Sequence, residues 1–113
     1  MMDGAWRWLL QRISGIALLA LLLTHFGVTH YFPGGDVTYQ KVAQRLSQPE
    51  WKFFNLTFLI LAIYHGLNGG WTILEDYLEN GWLRVTLFGV LLVAGLSLLV
   101  LGALTILAFQ PKL

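Results

Sequence analysis

Three apolar runs, roughly residues 13–32, 51–74 and 82–109, take up most of this 113-residue chain. Each meets or exceeds the ~20 residues that a helix needs to cross ~30 Å of hydrocarbon. Inside a bilayer the backbone must satisfy its own polar groups, and runs of this length do so as α-helices. Composition agrees: 57% of residues are hydrophobic and 12% charged, against about a quarter charged in an ordinary soluble domain. So few charges cannot cover a water-facing surface. The sequence therefore predicts an all-α fold, a single integral membrane domain over residues 1–113 with three transmembrane helices.

Aromatic residues mark the water boundaries of these runs: Trp6, Trp8, Tyr31, Phe32, Trp51, Trp71, Tyr77 and Trp82. Such belts sit at headgroup level. Pro33-Gly34-Gly35-Asp36 is expected to end the first helix, because these residues punctuate rather than extend one. Residues Tyr39 to Gln48 suggest a short surface helix before Pro49, and Glu75 to Gly81 a polar turn between the second and third spans. Repeats and low-complexity segments are not evident. Arg7 and Arg12 precede an apolar stretch that no small-x-small site closes, so a cleaved signal peptide is not expected.

Charge is uninformative about orientation. Three spans put Arg7, Arg12 and Arg84 on one side and Lys41, Arg45, Lys52 and Lys112 on the other, which decides nothing under the positive-inside rule. A net charge of +1 argues against a nucleic-acid partner. The absence of cysteine removes iron–sulfur ligation and thiolate zinc sites from this chain.

Two histidines lie deep in these runs. His65 stands within Ile60–Trp71, followed by Gly66, Gly69 and Gly70; His25 is deep in the first run. An imidazole in mid-membrane is costly and usually functional. The glycines clear a side-chain-free strip, as a planar macrocycle approaching its ligand requires. Paired with the lack of cysteine, this points to b-type haem, with His65 and His25 as iron ligands and Gly69 part of the haem-facing strip. The plainer alternative for His25 is a core histidine hydrogen-bonded to a neighbouring helix. His30, beside Tyr31, reads as a wet interfacial residue.

With Trp8 and Tyr77 as markers of one face, His25 and His65 fall roughly 25 Å and 18 Å deep at 1.5 Å per residue. The two axial nitrogens of one iron stand only about 4 Å apart. A mismatch of roughly 7 Å fits two haems at different depths better than one shared iron, although tilt could absorb it. Each haem then needs a second ligand from a partner membrane subunit.

Asp76 and Tyr77 come near the end of the second span, Asp76 about 16 Å along the helix from His65 and on the same face. An acid and a phenol there could hydrogen-bond and protonate a quinone carbonyl. By chemistry alone the plainer roles come first: Asp76 as a helix-end residue, Tyr77 as part of the belt. Gln11-Arg12-Ile13-Ser14-Gly15 opens the first helix. Arg12 can reach a lipid phosphate, a haem propionate or a quinone, and Ser14 offers a hydroxyl at the same level.

Taken in order, these motifs resemble a known family. Gln11-Arg12-x-Ser14-Gly15, then nine residues, then His25, resembles the first helix of the cytochrome b anchors of succinate dehydrogenase and fumarate reductase. His65-Gly66-Leu67-Asn68-Gly69-Gly70-Trp71 leading to Asp76-Tyr77 resembles the second helix of the small anchor subunit of succinate:quinone oxidoreductases. In that family this histidine is a haem b ligand and the Asp-Tyr pair lies at the quinone pocket. The three-helix layout and length match that subunit over essentially the whole chain. The His-x-x-Asn-Gly-x-Trp form with a first-helix histidine is similar to the diheme members. Single-haem members keep the second-helix histidine and the Asp-Tyr pair without a counterpart of His25, so this sequence combines features of both.

The resemblance implies a membrane anchor, part of a haem-containing bundle completed by a second anchor subunit. An iron–sulfur subunit and a flavoprotein subunit would dock on the cytoplasmic side of the cell's inner membrane. Electrons would pass through one or two haem b groups to a quinone near Arg12, Ser14, Asp76 and Tyr77. The chain itself carries no flavin fingerprint and no succinate chemistry. The alternatives are a b-type cytochrome subunit of another quinone-linked dehydrogenase, usually with four or more spans, and a non-redox membrane scaffold whose histidines only pack.

Overall fold

The computed structural model describes residues 4–31 and 38–109. They form four helices in chain order: α1 (Gly4–His30), α2 (Tyr39–Leu46), α3 (Pro49–Tyr77) and α4 (Gly81–Ala108). No strand occurs among the described residues. Helices α1, α3 and α4 have 27, 29 and 28 residues and are apolar enough to cross a membrane. At 1.5 Å per residue each is roughly 40–44 Å long, enough for the hydrocarbon and both headgroup layers. This is the expected three-span, all-α, multi-pass membrane fold.

The helices outrun the apolar runs. Helix α1 begins at Gly4 rather than at residue 13, because backbone hydrogen bonding continues through Arg7, Gln11 and Arg12 where hydropathy has already fallen. Helix α3 starts on Pro49 at its first position, where a missing N–H costs nothing. It then persists through Tyr77, so the polar turn expected over Glu75–Gly81 shrinks to residues 78–80. Leu78 N–H closes α3 on Leu74 O at 3.0 Å. The Asn80 side chain accepts the Trp82 and Leu83 N–H groups at 2.9 and 3.2 Å and so caps α4. The surface helix α2 is present, capped at its start by Thr38, whose hydroxyl accepts the Lys41 N–H at 3.2 Å, and ending at Leu46. Phe32, Lys112 and the Pro33–Asp36 helix stop lie outside the described residues.

Helix α3 is the shared spine: α1 packs on one side of it, α4 on the other, and α2 near its start. The α3–α4 seam closes over glycines. A Cβ at Gly95 would stand 3.2 Å from Leu67 Cδ2, and one at Gly102 would stand 2.8 Å from Leu59 Cδ2. Small residues permit such approach between spans. At the far end Lys52 Nζ donates to Ile106 O at 2.9 Å and to Phe109 O. It thereby occupies carbonyls that α4 leaves unpaired, with a cation where the helix dipole is negative.

No hydrophobic side chain is buried among the described residues; the buried side chains are those of Ser14 and Thr29. This inverts a soluble protein. The apolar surface faces outward, and what the spans bury against one another is small and polar.

Candidate functional site

The polar seam between α1 and α3 is centred on His65. Its Nδ1 lies 3.0 Å from Ser14 Oγ, and Ser14 is only 4% exposed. The Ser14 hydroxyl also donates to Gln11 O at 3.1 Å. Gly15, the next residue on α1, lets the ring come close: a Cβ there would stand 3.2 Å from His65 Cε1. Nε2 makes no hydrogen bond among the described residues. The imidazole is thus held by one nitrogen and presents the other.

Around this contact the seam is laced by amides. Gln11 Nε2 donates to His65 O at 3.3 Å, and Asn68 Nδ2 donates to Gln11 Oε1 at 2.9 Å and to Arg7 O at 3.4 Å. Nearer the membrane edge the Arg7 guanidinium pairs with Glu75 at 2.6 Å. Gln11 and Ser14 are three apart on α1, and His65 and Asn68 three apart on α3, so each pair shares a face. That spacing was the available signal for Gln11 and Asn68, whose bridging roles the motifs alone did not reveal.

The glycine strip is not wholly open. A Cβ at Gly69 would stand 2.8 Å from Gln11 Nε2, and one at Gly70 would stand 3.2 Å from Leu91 Cδ1 on α4. These two glycines admit neighbours within the chain. Gly66, beside His65, has nothing within 4 Å of its virtual Cβ and is exposed. Of the three, only this glycine has open space at its Cβ position.

His25 lies elsewhere. Its ring meets Phe58 of α3 edge-to-face, with centroids 6.0 Å apart, and makes no hydrogen bond among the described residues. Ser14 faces His65, whereas His25 is eleven residues further along α1. Phe58, opposite His25, is seven residues from His65 on α3. The two imidazoles are therefore about 10–16 Å apart along the helices. This exceeds the expected 7 Å and is too far for one iron, whose axial nitrogens are about 4 Å apart. The discrepancy has a simple cause. In the register set by Ser14–His65 and Gln11–Asn68, Trp8 stands opposite Trp71, so α3 projects another six residues, about 9 Å, to Tyr77.

That overhang also separates the remaining candidates. Arg12 is exposed, with its guanidinium 4.3 Å from the centre of the Trp8 ring. Asp76 is exposed in the last turn of α3, and Tyr77 is 81% exposed. Ser14 faces His65, eleven residues and about 16 Å along α3 from Asp76. The four residues expected around one quinone thus fall at two heights, and Ser14 is engaged with His65. Asp76 is no helix cap, since a carboxylate cannot donate to terminal carbonyls and is disfavoured by the dipole there. His30 is exposed, its ring tilted at 40° against Phe26 with centroids 4.6 Å apart.

No group of three or more histidine, aspartate or glutamate side chains able to hold a metal gathers among the described residues. His65 and His25 each offer one nitrogen donor.

Comparison with known proteins follows the same outline. The "Succinate dehydrogenase hydrophobic membrane anchor subunit" of Archaeoglobus fulgidus is 36% identical over 69 residues, covering 61% of this chain and 59% of that protein. The protein so described in Thermoplasma acidophilum is 37% identical over 60 residues, covering 52% and 49%. The aligned part thus spans about half to three-fifths of these relatives. Residues 2–103, which take in α1, α2, α3 and most of α4, match the family described as "Succinate dehydrogenase/Fumarate reductase transmembrane subunit". By that match the chain belongs to the succinate dehydrogenase/fumarate reductase transmembrane subunit family.

Proposed function

We propose that this chain is a haem b-binding membrane anchor of a succinate:quinone oxidoreductase, carrying electrons from an iron–sulfur subunit to a membrane quinone. The observation that carries the reading is His65: an imidazole in mid-span, held through Nδ1 by Ser14 and with Nε2 free of any hydrogen bond among the described residues. A ligand histidine is characteristically anchored through its other nitrogen in this way. The residues fit the group. His65 would supply one axial ligand, His25 a ligand to a second haem at a different depth, and Arg12 an ion-pair partner for a propionate. Haem bound there supplies a one-electron iron couple within the bilayer.

The chain's own part is positional. Ser14, Gln11 and Asn68 hold the His65 segment of α3 against α1. Asp76 and Tyr77, on the overhang of α3, offer a carboxyl group and a phenol to quinone oxygens at the membrane edge. Neither histidine has another candidate ligand gathered with it among the described residues, which favours a second anchor subunit as its source. The iron–sulfur and flavoprotein subunits would dock on the Asp76–Tyr77 side, on the cytoplasmic face of the inner membrane.

The test is a reduced-minus-oxidised spectrum and pyridine haemochrome assay on the purified complex, with and without His65→Leu. The expected result is loss or severe perturbation of one haem. An unchanged α-band and haemochrome yield would overturn the assignment and leave the chain a non-redox scaffold.

A further inference from the structure

We infer that Ser14 is the positioning residue of His65: it fixes the imidazole as the Nδ1–H tautomer and so leaves Nε2 as the lone-pair donor for a haem iron. The inference rests on the haem reading above and deepens it. A serine hydroxyl has one proton and two acceptor lone pairs. Gln11 O, 3.1 Å from Oγ, is a carbonyl that can only accept, so this contact claims the proton. At its 3.0 Å contact with His65 Nδ1, Oγ is then the acceptor and Nδ1 carries the hydrogen. A neutral imidazole has one N–H, so Nε2 is bare.

The opposite assignment fares worse on every count. Turning the Ser14 proton onto Nδ1 would forfeit the bond to Gln11 O. It would also put the ring's only hydrogen on Nε2, which has no acceptor among the described residues and lies in the span. An N–H left unpaired in hydrocarbon is strongly disfavoured. Ser14 is 4% exposed, so water does not compete for its hydroxyl. Gly15 and Gly69 complete the arrangement: the first lets the ring reach Ser14, the second seats the Gln11 amide that donates to His65 O.

Such a contact does more than orient. Donation from Nδ1–H to a hydroxyl raises the basicity of Nε2, which stabilises ferric over ferrous iron. Removing the acceptor should therefore raise the midpoint potential of the His65-ligated haem. Loss of a second partner of this kind typically weakens metal binding ~10- to 100-fold.

The test uses the intact complex carrying Ser14→Ala, Ser14→Thr or His65→Leu, and measures haem content, midpoint potential by redox titration, and low-spin ferric EPR g-values. Ser14→Ala should shift one potential upward, move the corresponding g-values and weaken haem retention. Ser14→Thr, which keeps the hydroxyl, should lie nearer to wild type. Should Ser14→Ala fail to assemble, Ser14→Cys, a weaker acceptor, should give a smaller shift of the same sign. Loss of one haem in His65→Leu with wild-type potentials and g-values in Ser14→Ala would overturn this inference alone. Equal shifts in the alanine and threonine variants would do the same, since the hydroxyl would then not be the cause. Full haem retention in His65→Leu would instead remove the reading on which it rests.

Discussion

Removing the Gln11–Asn68 bridge should measurably loosen α1 from α3, and the size of the effect follows from the contacts. Gln11→Ala deletes two interhelical bonds, the 2.9 Å one from Asn68 and the 3.3 Å one to His65 O. Such bonds between membrane spans average ~0.6 kcal/mol and reach ~1.7 kcal/mol, so Gln11→Ala should cost about 1.2 kcal/mol, roughly an eightfold shift in equilibrium. Asn68→Ala should cost about the same, since it also loses the 3.4 Å bond to Arg7 O. The double variant should be less damaging than the sum by the one shared bond, about 0.6 kcal/mol, or roughly threefold. Steric trapping in detergent micelles or bicelles, with one tag at the start of α1 and another in the turn after α3, would yield all three values. Strict additivity would refute the reasoning, for it would mean that the two amides do not meet.

Three further outcomes can be checked on the assembled complex. His25→Leu should remove one spectral component and leave the His65-dependent one, as quantitative haemochrome and redox titration would show; retention of every haem would make His25 a packing residue. Tyr77→Phe deletes one hydroxyl, worth ~0.5–1.5 kcal/mol against a bound quinone or roughly 2- to 13-fold, and Asp76→Leu should be more severe. Both should impair succinate-to-quinone transfer and spare succinate-to-dye activity; equal loss of both activities would point to failed docking, and equal retention would take the pair out of the quinone site. Lys52→Met strips the cation from the end of α4, with each charge-assisted bond worth about 1.5–3 kcal/mol, so thermal stability in detergent should fall while the haem spectrum stays unchanged. An unaltered melting temperature would show that Lys52 adds nothing there.

The spans were legible because length and hydropathy alone dictate them, and the ligand candidates because an imidazole in hydrocarbon is conspicuous. The helix ends were not, since polar residues in the opening turns, such as Arg7, Gln11 and Arg12, fall outside an apolar run. Depth misled for a related reason: belt aromatics scatter over the full headgroup layer, and Trp8 and Tyr77 differ in level by about 9 Å. Glycine was ambiguous in a different way. Gly66, Gly69 and Gly70 all announce close approach, but the sequence cannot say whether a cofactor, Gln11 or Leu91 does the approaching. Register decides that, and register became visible only once Ser14 and Gln11 were placed against His65 and Asn68.

The central place of α3 has a consequence for how the chain enters the membrane. It is the least apolar of the three spans and α4 the most, so α4 can partition from the translocon unaided. Helix α1 comes off the ribosome first, with the Gln11 side-chain amide lacking its α3 partners until α3 is complete, 47 residues after His30. At about 5–20 residues per second that is a wait of roughly 2–9 s. The amides that bind α1 to α3 then give the marginal span a reason to leave the channel for lipid, as a hairpin rather than alone. Biogenesis and site assembly become one event, because the contact that helps α3 to insert is the same one that brings His65 against Ser14.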